Sequence, residues 1–303
     1  MNIPRSIILF FASLCWLPVV LPGQPVWPGD VNNDNVVNEV DVLYLGWAYG
    51  AAGPARPDGD TDWEAQPAPS PWSQSFPDGQ NYFFADVDGN GFVEEEDLDD
   101  GIESNFGLTH DLPTGSGYAN AAPGTAPLID LVPAMDIVGL GAQIDIDLLA
   151  GSLDEPLPST YGLALKLSFG TTQGSMTTDL DYDVQPGNWL QNGGAPLLEL
   201  HELDGLLSTG GLAMVRTDQQ AVEQGAGKLG TFSVIIEDIV VGLQADTFWI
   251  KIDSVRLIGD NFQTIAAVPS ATQVVVARNP DSLLLSSSVS LFSAGNLRVY
   301  PNP

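Results

Sequence analysis

Two short stretches place oxygen-bearing side chains at the intervals a hard divalent cation asks of a loop. The first is Asp30-Val31-Asn32-Asn33-Asp34-Asn35-Val36-Val37-Asn38-Glu39-Val40-Asp41, with Asp30, Asn32, Asp34, Asn38 and Asp41 at positions 1, 3, 5, 9 and 12. The second, Asp86-Val87-Asp88-Gly89-Asn90-Gly91-Phe92-Val93-Glu94-Glu95-Glu96-Asp97, repeats the pattern with Asp86, Asp88, Asn90, Glu94 and Asp97. Both carry valine at position 8. Calcium takes about six to eight oxygens at about 2.3–2.6 Å, so alternate side chains of a tight loop must converge on one point. The backbone carbonyls of Val36 and Phe92, at position 7, complete two candidate Ca2+ sites. Position 6 has to turn sharply, with positive φ that Gly91 adopts freely and Asn35 tolerates. A pair of Asp/Asn-rich surface turns is the alternative, but the same ligand spacing twice in one chain is hard to obtain by chance.

Each loop needs an element to hold its closing aspartate. Val42, Leu45 and Tyr49 after the first loop, and Leu98, Ile102 and Phe106 after the second, fall at helical spacing, whereas no amphipathic helix precedes either loop. The arrangement is loop then helix, twice: a duplicated half EF-hand. It resembles the dockerin type I module, whose GDxNxDxxVNxxD-like signature stands here as Gly29 to Asp41. That resemblance implies a small α calcium-loop domain whose paired helices dock on a cohesin and hold secreted proteins on scaffolds or cell surfaces. Glu39-Val40 and Glu95-Glu96 stand where many dockerins carry a Ser-Thr recognition pair, so partner specificity is not carried over. The segment joining the repeats is also much longer than in that family.

The chain has 303 residues, room for two domains, and a formal charge of −30 with only nine Lys plus Arg. That charge argues against nucleic acid or an anionic membrane as partner. Hydrophobic residues make up 44%, so the acid reads as cation ligation and solubility rather than disorder. Arg5 ahead of an apolar run from Ile7 to Leu17, with an exit through Gly23, reads as a secretory signal peptide over 1–23, not an anchor, so no membrane insertion is expected once it is removed. The only cysteine, Cys15, lies inside it. The mature chain then has no thiol chemistry or disulfide, and calcium is its available staple.

Within the 24–107 calcium domain, the insert 50–82 is rich in Pro, Gly and Ser and holds Trp63 and Trp72. These two are expected to cover the helices rather than to bind sugar. Residues 108–127 read as a flexible linker. From 128 to 278 the period changes to two, as in Ile144-Asp145-Ile146-Asp147-Leu148 and Leu163 to Phe169. Further strands are expected at 212–216, 229–236, 248–257 and 272–277, the pattern of a β-sandwich. The opening Leu128 to Pro133, Gln143 to Leu149, Leu212 to Asp218, Gly227 to Val234 and Val255 to Ile258 resemble the cohesin-like family. The resemblance implies a nine-stranded jelly roll that presents a sheet face to a partner. Trp189 and Trp249 leave a carbohydrate-binding module open as the alternative.

Residues 279–303 read as a serine-rich linker and the start of a sorting signal. The tail Leu297 to Pro303 resembles the opening of the C-terminal sorting domain of type IX secretion substrates, which implies a fragment of a longer exported protein. The chain carries no GxSxG, HExxH, Walker A or Rossmann fingerprint, and His110 and His201 have no nucleophile or metal partner nearby in sequence. The expectation is therefore a mixed fold, an α calcium domain plus an all-β sandwich, in a secreted or cell-surface, non-catalytic assembly protein. It would hold two Ca2+ and bind another protein of cohesin or dockerin type. A carbohydrate-binding accessory role in a polysaccharide-degrading system is the alternative. Pairing between the two halves of one chain is disfavoured on charge, because both look acidic.

Overall fold

The computed structural model describes residues 24–115, 117–192 and 194–281; the expected signal peptide with Cys15, the serine-rich run and the expected sorting tail lie outside them. Among the described residues no helix is long and apolar enough to cross a membrane. The chain first forms a helix, α1 (Glu39–Ala48), and then a π-helical stretch, Asp97–Ile102, that runs into a last α-turn, Glu103–Asn105, together α2. The strands follow as β1 (Leu128–Pro133), β2 (Ile137–Gly139), β3 (Gln143–Ala150), β4 (Thr160–Thr171), β5 (Met176–Thr177) and β6 (Asp181–Val184). After them come β7 (Leu197–Asp204), β8 (Thr209–Arg216), β9 (Gly227–Asp238), β10 (Ala245–Gly259), β11 (Thr264–Ile265), β12 (Val268–Pro269) and β13 (Ala271–Ala277).

These make a sandwich of two sheets. One has the order β12-β1-β3-β9-β5 with β6 also on β9; the other runs β2-β13-β10-β4-β8-β7 with β11 on β10. Apart from β1 with β12 and β2 with β13, the pairs are antiparallel. The alternation that announced β3 in the sequence is the burial pattern observed: Ile144, Ile146 and Leu148 point inward, where they meet Leu163, Leu165, Phe232 and Phe248. Most of the described chain is this sandwich, and the expected helical domain amounts to α1 and α2. Phe232 is fully buried with its ring 4.7 Å from that of Tyr182. Truncating it to alanine is expected to cost about 3–5 kcal/mol, read as a lower thermal midpoint of the full chain.

β7 was not anticipated, because Leu197-Leu198-Glu199-Leu200 does not alternate cleanly. Its Leu198 and Leu200 are nonetheless buried, on the outer side of the sheet. A second core explains this. It joins Val40, Leu43 and Leu45 of α1, Leu98 and Ile102 of α2, and Tyr161, Ala164, Leu198, Leu200, Ala213, Val215 and Ile258 of the β10-β4-β8-β7 surface. α1 therefore lies on the sheet, with α2 packed on α1. α1 is buried nearly all round, between α2 and β8, rather than along one stripe.

The insert 50–82 behaves as expected: Trp72 is buried with Nε1 donating to the Pro54 carbonyl, and Trp63 tilts against Trp27 at 5.0 Å. The segment 108–127 is not the free tether its composition suggests. His110 contacts Asp30, Asn35 Nδ2 donates to the Leu112 carbonyl, and Tyr118 donates to Glu39. Further on, Ala119 N–H donates to the Val255 carbonyl and Ala121 N–H to that of Ala267, so this stretch is laid along the sandwich.

Candidate calcium centres

The two loops share their turn conformation. Positions 4 and 6 have positive φ in both: 54° at Asn33 and 77° at Asn35, 80° at Gly89 and 95° at Gly91. The position 3 side chain caps the turn behind it, since Asp34 N–H donates to Asn32 Oδ1 and Asn90 N–H to Asp88 Oδ1, each at 2.9 Å. Position 5 does the same one step on: Val36 N–H donates to Asp34 Oδ1, and Phe92 N–H to Asn90 Oδ1. The closing aspartate ties each loop to its helix. Asp41 accepts from Asn32 N–H at 2.9 Å and Asn38 N–H at 2.8 Å; Asp97 accepts from Asp88 N–H at 3.2 Å, Val87 N–H at 2.6 Å and Glu94 N–H at 2.9 Å.

The loops also brace each other. Val37, at position 8, exchanges backbone hydrogen bonds with the chain leaving α2, at Gly107 and Leu108. Val93, its counterpart, exchanges them with the chain leaving α1, at Gly50 and Ala51. Each loop is thus pinned by the exit of the other repeat's helix, which is what a duplicated unit with approximate two-fold symmetry requires.

The donor sets differ in tightness. Among the described residues, Asp86, Asp88 and Asp97 each bring a carboxylate oxygen to within 4.8 Å of the others; Asp30, Asp34 and Asp41 do not gather that closely. In the first loop Asn32 replaces one acid, and Asp30 Oδ2 is also met by His110 Nε2 at 3.0 Å. Asn38 Oδ1 accepts from Val40 N–H at 2.8 Å, so the position 9 side chain serves as the α1 cap. Glu94, its counterpart, accepts from Asn90 Nδ2 at 2.7 Å at the rim of the second loop. The Phe92 ring points to solvent, leaving its backbone as the part the loop uses.

Burial, reinforced by neighbouring acids, pushes Asp97 up to about 8 and Asp34 up to about 6; burial also takes Asp86 to about 6. Burial raises Asp41 well above the carboxylate range, with Asp30 and Asp34 adding to it; it raises Asp30 too, where His110 pulls the other way. Carboxylates so crowded and buried resist ionising together, and a hard divalent cation at their centre removes that cost. The donor chemistry of both loops therefore fits calcium, and the second fits it more closely.

Residues outside the two loops support them, and the sequence pattern did not reveal these. Arg56, from the insert, is buried; it donates to the Asp86 carbonyl at 2.9 Å, the Val87 carbonyl at 2.6 Å and Gln66 Oε1 at 2.7 Å. It holds the start of the second loop from behind. Arg56→Met is expected to weaken calcium at that loop about 10-fold without removing a ligand, checked by titration calorimetry. His110 stacks on Trp27 at 4.5 Å, which fixes the ring that reaches Asp30.

The tryptophans give a sugar no open row. Trp189 lies against Gly225 and Gly227, and every tryptophan among the described residues is at least partly buried. Trp249 lies along Gly170 at the edge of a cleft of about 1440 Å³ between the loop module and the sheet.

No family model matches the chain, and no curated protein matches it. Solved structures do. One is from a type I cohesin–dockerin complex of Clostridium thermocellum, at 12% identity, 52% coverage of this chain, 99% of that chain and a TM-score of 0.38. Another is a type II cohesin dyad from an adaptor scaffoldin of Acetivibrio cellulolyticus, at 11% identity, 49% and 48% coverage and a TM-score of 0.36. A third is a non-cellulosomal cohesin from the archaeon Archaeoglobus fulgidus, at 10% identity, 52% and 98% coverage and a TM-score of 0.34.

Proposed function

We propose that this chain is a non-catalytic, calcium-binding protein-interaction module of an exported or cell-surface assembly. The observation that carries the reading is the repeated loop: two segments with matching turn hydrogen bonds at positions 3, 5 and 12, the same positive-φ positions and converging oxygen donors, each tied to the start of a helix by a buried aspartate. The two ions would be held by Asp30, Asn32, Asp34, the Val36 carbonyl and Asp41, and by Asp86, Asp88, Asn90, the Phe92 carbonyl and Asp97. Asn38 and Glu94 shape the loops at position 9. The non-catalytic part is supported by how the histidines are used: His110 is committed to Asp30, and His201 lies exposed on β7 with its ring 6.2 Å from Tyr182. A protein partner of cohesin or dockerin type follows from the sequence resemblances, as do export and surface location. The half-buried tryptophans favour protein over polysaccharide.

Titration calorimetry of the metal-free full chain tests the reading. Two calcium ions per chain are expected, and calcium at a hundredfold excess over Kd should stabilise the folded chain by about 2.7 kcal/mol per site. A chain that takes up no calcium, with the same thermal midpoint in chelator and in millimolar calcium, would refute it.

A further inference from the structure

The outer face of the β10-β4-β8-β7 sheet is built to receive a helix, α1. Its outward positions under α1 are small or apolar: Gly162, Ala164, Ala213, Val215, Leu198 and Leu200. Small residues let a helix backbone come close. An added Cβ at Gly162 would stand 3.0 Å from Leu43 of α1, and one at Gly46 of α1 would stand 2.2 Å from Val215. Neither side of this contact has room for a larger residue.

Three further features aim at the same helix. The turn after β10 holds Asn261 and Phe262 at φ of 60° and 62°, a left-handed conformation that costs a bulky residue energy and persists only where its surroundings demand it. The demand is visible: the Phe262 ring lies 4.7 Å from Tyr44 and 5.2 Å from Trp47, both on α1. Arg256 from β10 places its guanidinium 5.2 Å from the Tyr44 ring centre and donates to the Tyr44 hydroxyl at 3.4 Å. Tyr161 at the start of β4 donates to the Gly46 carbonyl at 3.3 Å, and its ring lies 5.0 Å from that of Trp47.

We infer that this sheet face is a docking surface whose resident partner is the chain's own calcium module, and that bound calcium closes the contact as an intramolecular latch. The inference rests on the calcium reading above. The geometry gives the reason: Asp41 sits in the first turn of α1, so the group that closes the first loop also sets the start of the helix that covers the sheet. Without the cation, the three acids of each repeat, two of them buried, repel one another next to that contact, and the helix loses the loop that orients it. An outside protein must then use another surface of the sandwich or displace the module.

The test keeps the whole chain and cuts it once. The turn Ala122–Thr125 is exposed, and an added Cβ at Gly124 would meet nothing within 4 Å, so a protease site inserted after Gly124 leaves both sides intact. After cleavage, the two fragments should co-elute in millimolar calcium and separate in chelator. Separation in calcium would overturn the docking, and co-elution in both conditions would overturn calcium control. Radical footprinting of the uncut chain gives a second readout that needs no insertion: Tyr161, Leu198 and Leu200 should be protected in calcium and labelled in chelator, and equal labelling overturns the latch. Calorimetry on the same uncut sample separates the two failures. Bound calcium with unchanged footprints sinks the latch alone, and absence of binding sinks the metal reading with it.

Discussion

Replacing Asp97 by alanine should cost the second loop its cation and its shape together. The carboxylate is buried, accepts from Val87, Asp88 and Glu94 N–H groups, and is one of three acids that converge. Alanine leaves donors without an acceptor, at roughly 1–3 kcal/mol for each one that stays buried. It also removes one of the charged ligands. Calorimetry should then record one tight ion per chain instead of two, with affinity at the altered loop reduced at least about 100-fold, about 2.8 kcal/mol. Asp97→Asn keeps the size and one acceptor but not the charge, so it should fall between wild type and alanine. If Asp97→Ala still takes up two ions at unchanged affinity, the second loop is not a metal site. The matching change in the first loop, Asp41→Ala, should spare the second ion while loosening α1, since Asp41 completes that helix's capping box.

The loops were legible because their information is local. Ligand spacing, a position 6 residue that accepts positive φ and the apolar spacing of the following helix all lie within about twenty residues. β3, β9, the second half of β4 and the first half of β10 were legible for the same reason, as each alternates over that stretch. The missing part was what lies across space. Outward positions of β4 and β8 read as ordinary small residues until the helix above them is seen, and Tyr161 to Leu165 then proves buried on both faces. Net charge makes both halves look repulsive, whereas the surfaces in contact are largely apolar and carry Arg256. Arg56 and His110 act from segments whose composition suggested only loop or tether, so no periodicity could mark them. The glycine- and proline-rich stretch 108–127 looked free because its restraints come from far along the chain: Asp30 and Glu39 before it, and backbone hydrogen bonds to Val255 and Ala267 more than 130 residues on.

Gly46 offers the sharpest measure of how the module is seated. In an isolated helix Gly→Ala would stabilise by up to about 1 kcal/mol, because alanine restricts the unfolded chain and suits the helix. Here the added methyl would stand 2.2 Å and 2.6 Å from the two methyls of Val215, a β-branched side chain that cannot swing aside. Overpacking of this kind costs about 1–3 kcal/mol, so clash should outweigh propensity and Gly46→Ala should destabilise by about 1–2 kcal/mol. Val215→Ala alone removes two fully buried methyl groups and should cost about 1.5–3 kcal/mol. In the double variant the new methyl enters the space that valine vacates. The two losses should then fall short of their sum by about 1–2 kcal/mol, a coupling that only direct contact produces. Denaturant melts of the four proteins in calcium supply the numbers. Losses that add to within about 0.5 kcal/mol would mean that α1 does not rest on β8. Repeating the cycle in chelator asks more of the latch: if calcium holds the helix on the sheet, the coupling should disappear when the ions are removed, while the cost of Val215→Ala should shrink because its methyls no longer meet α1.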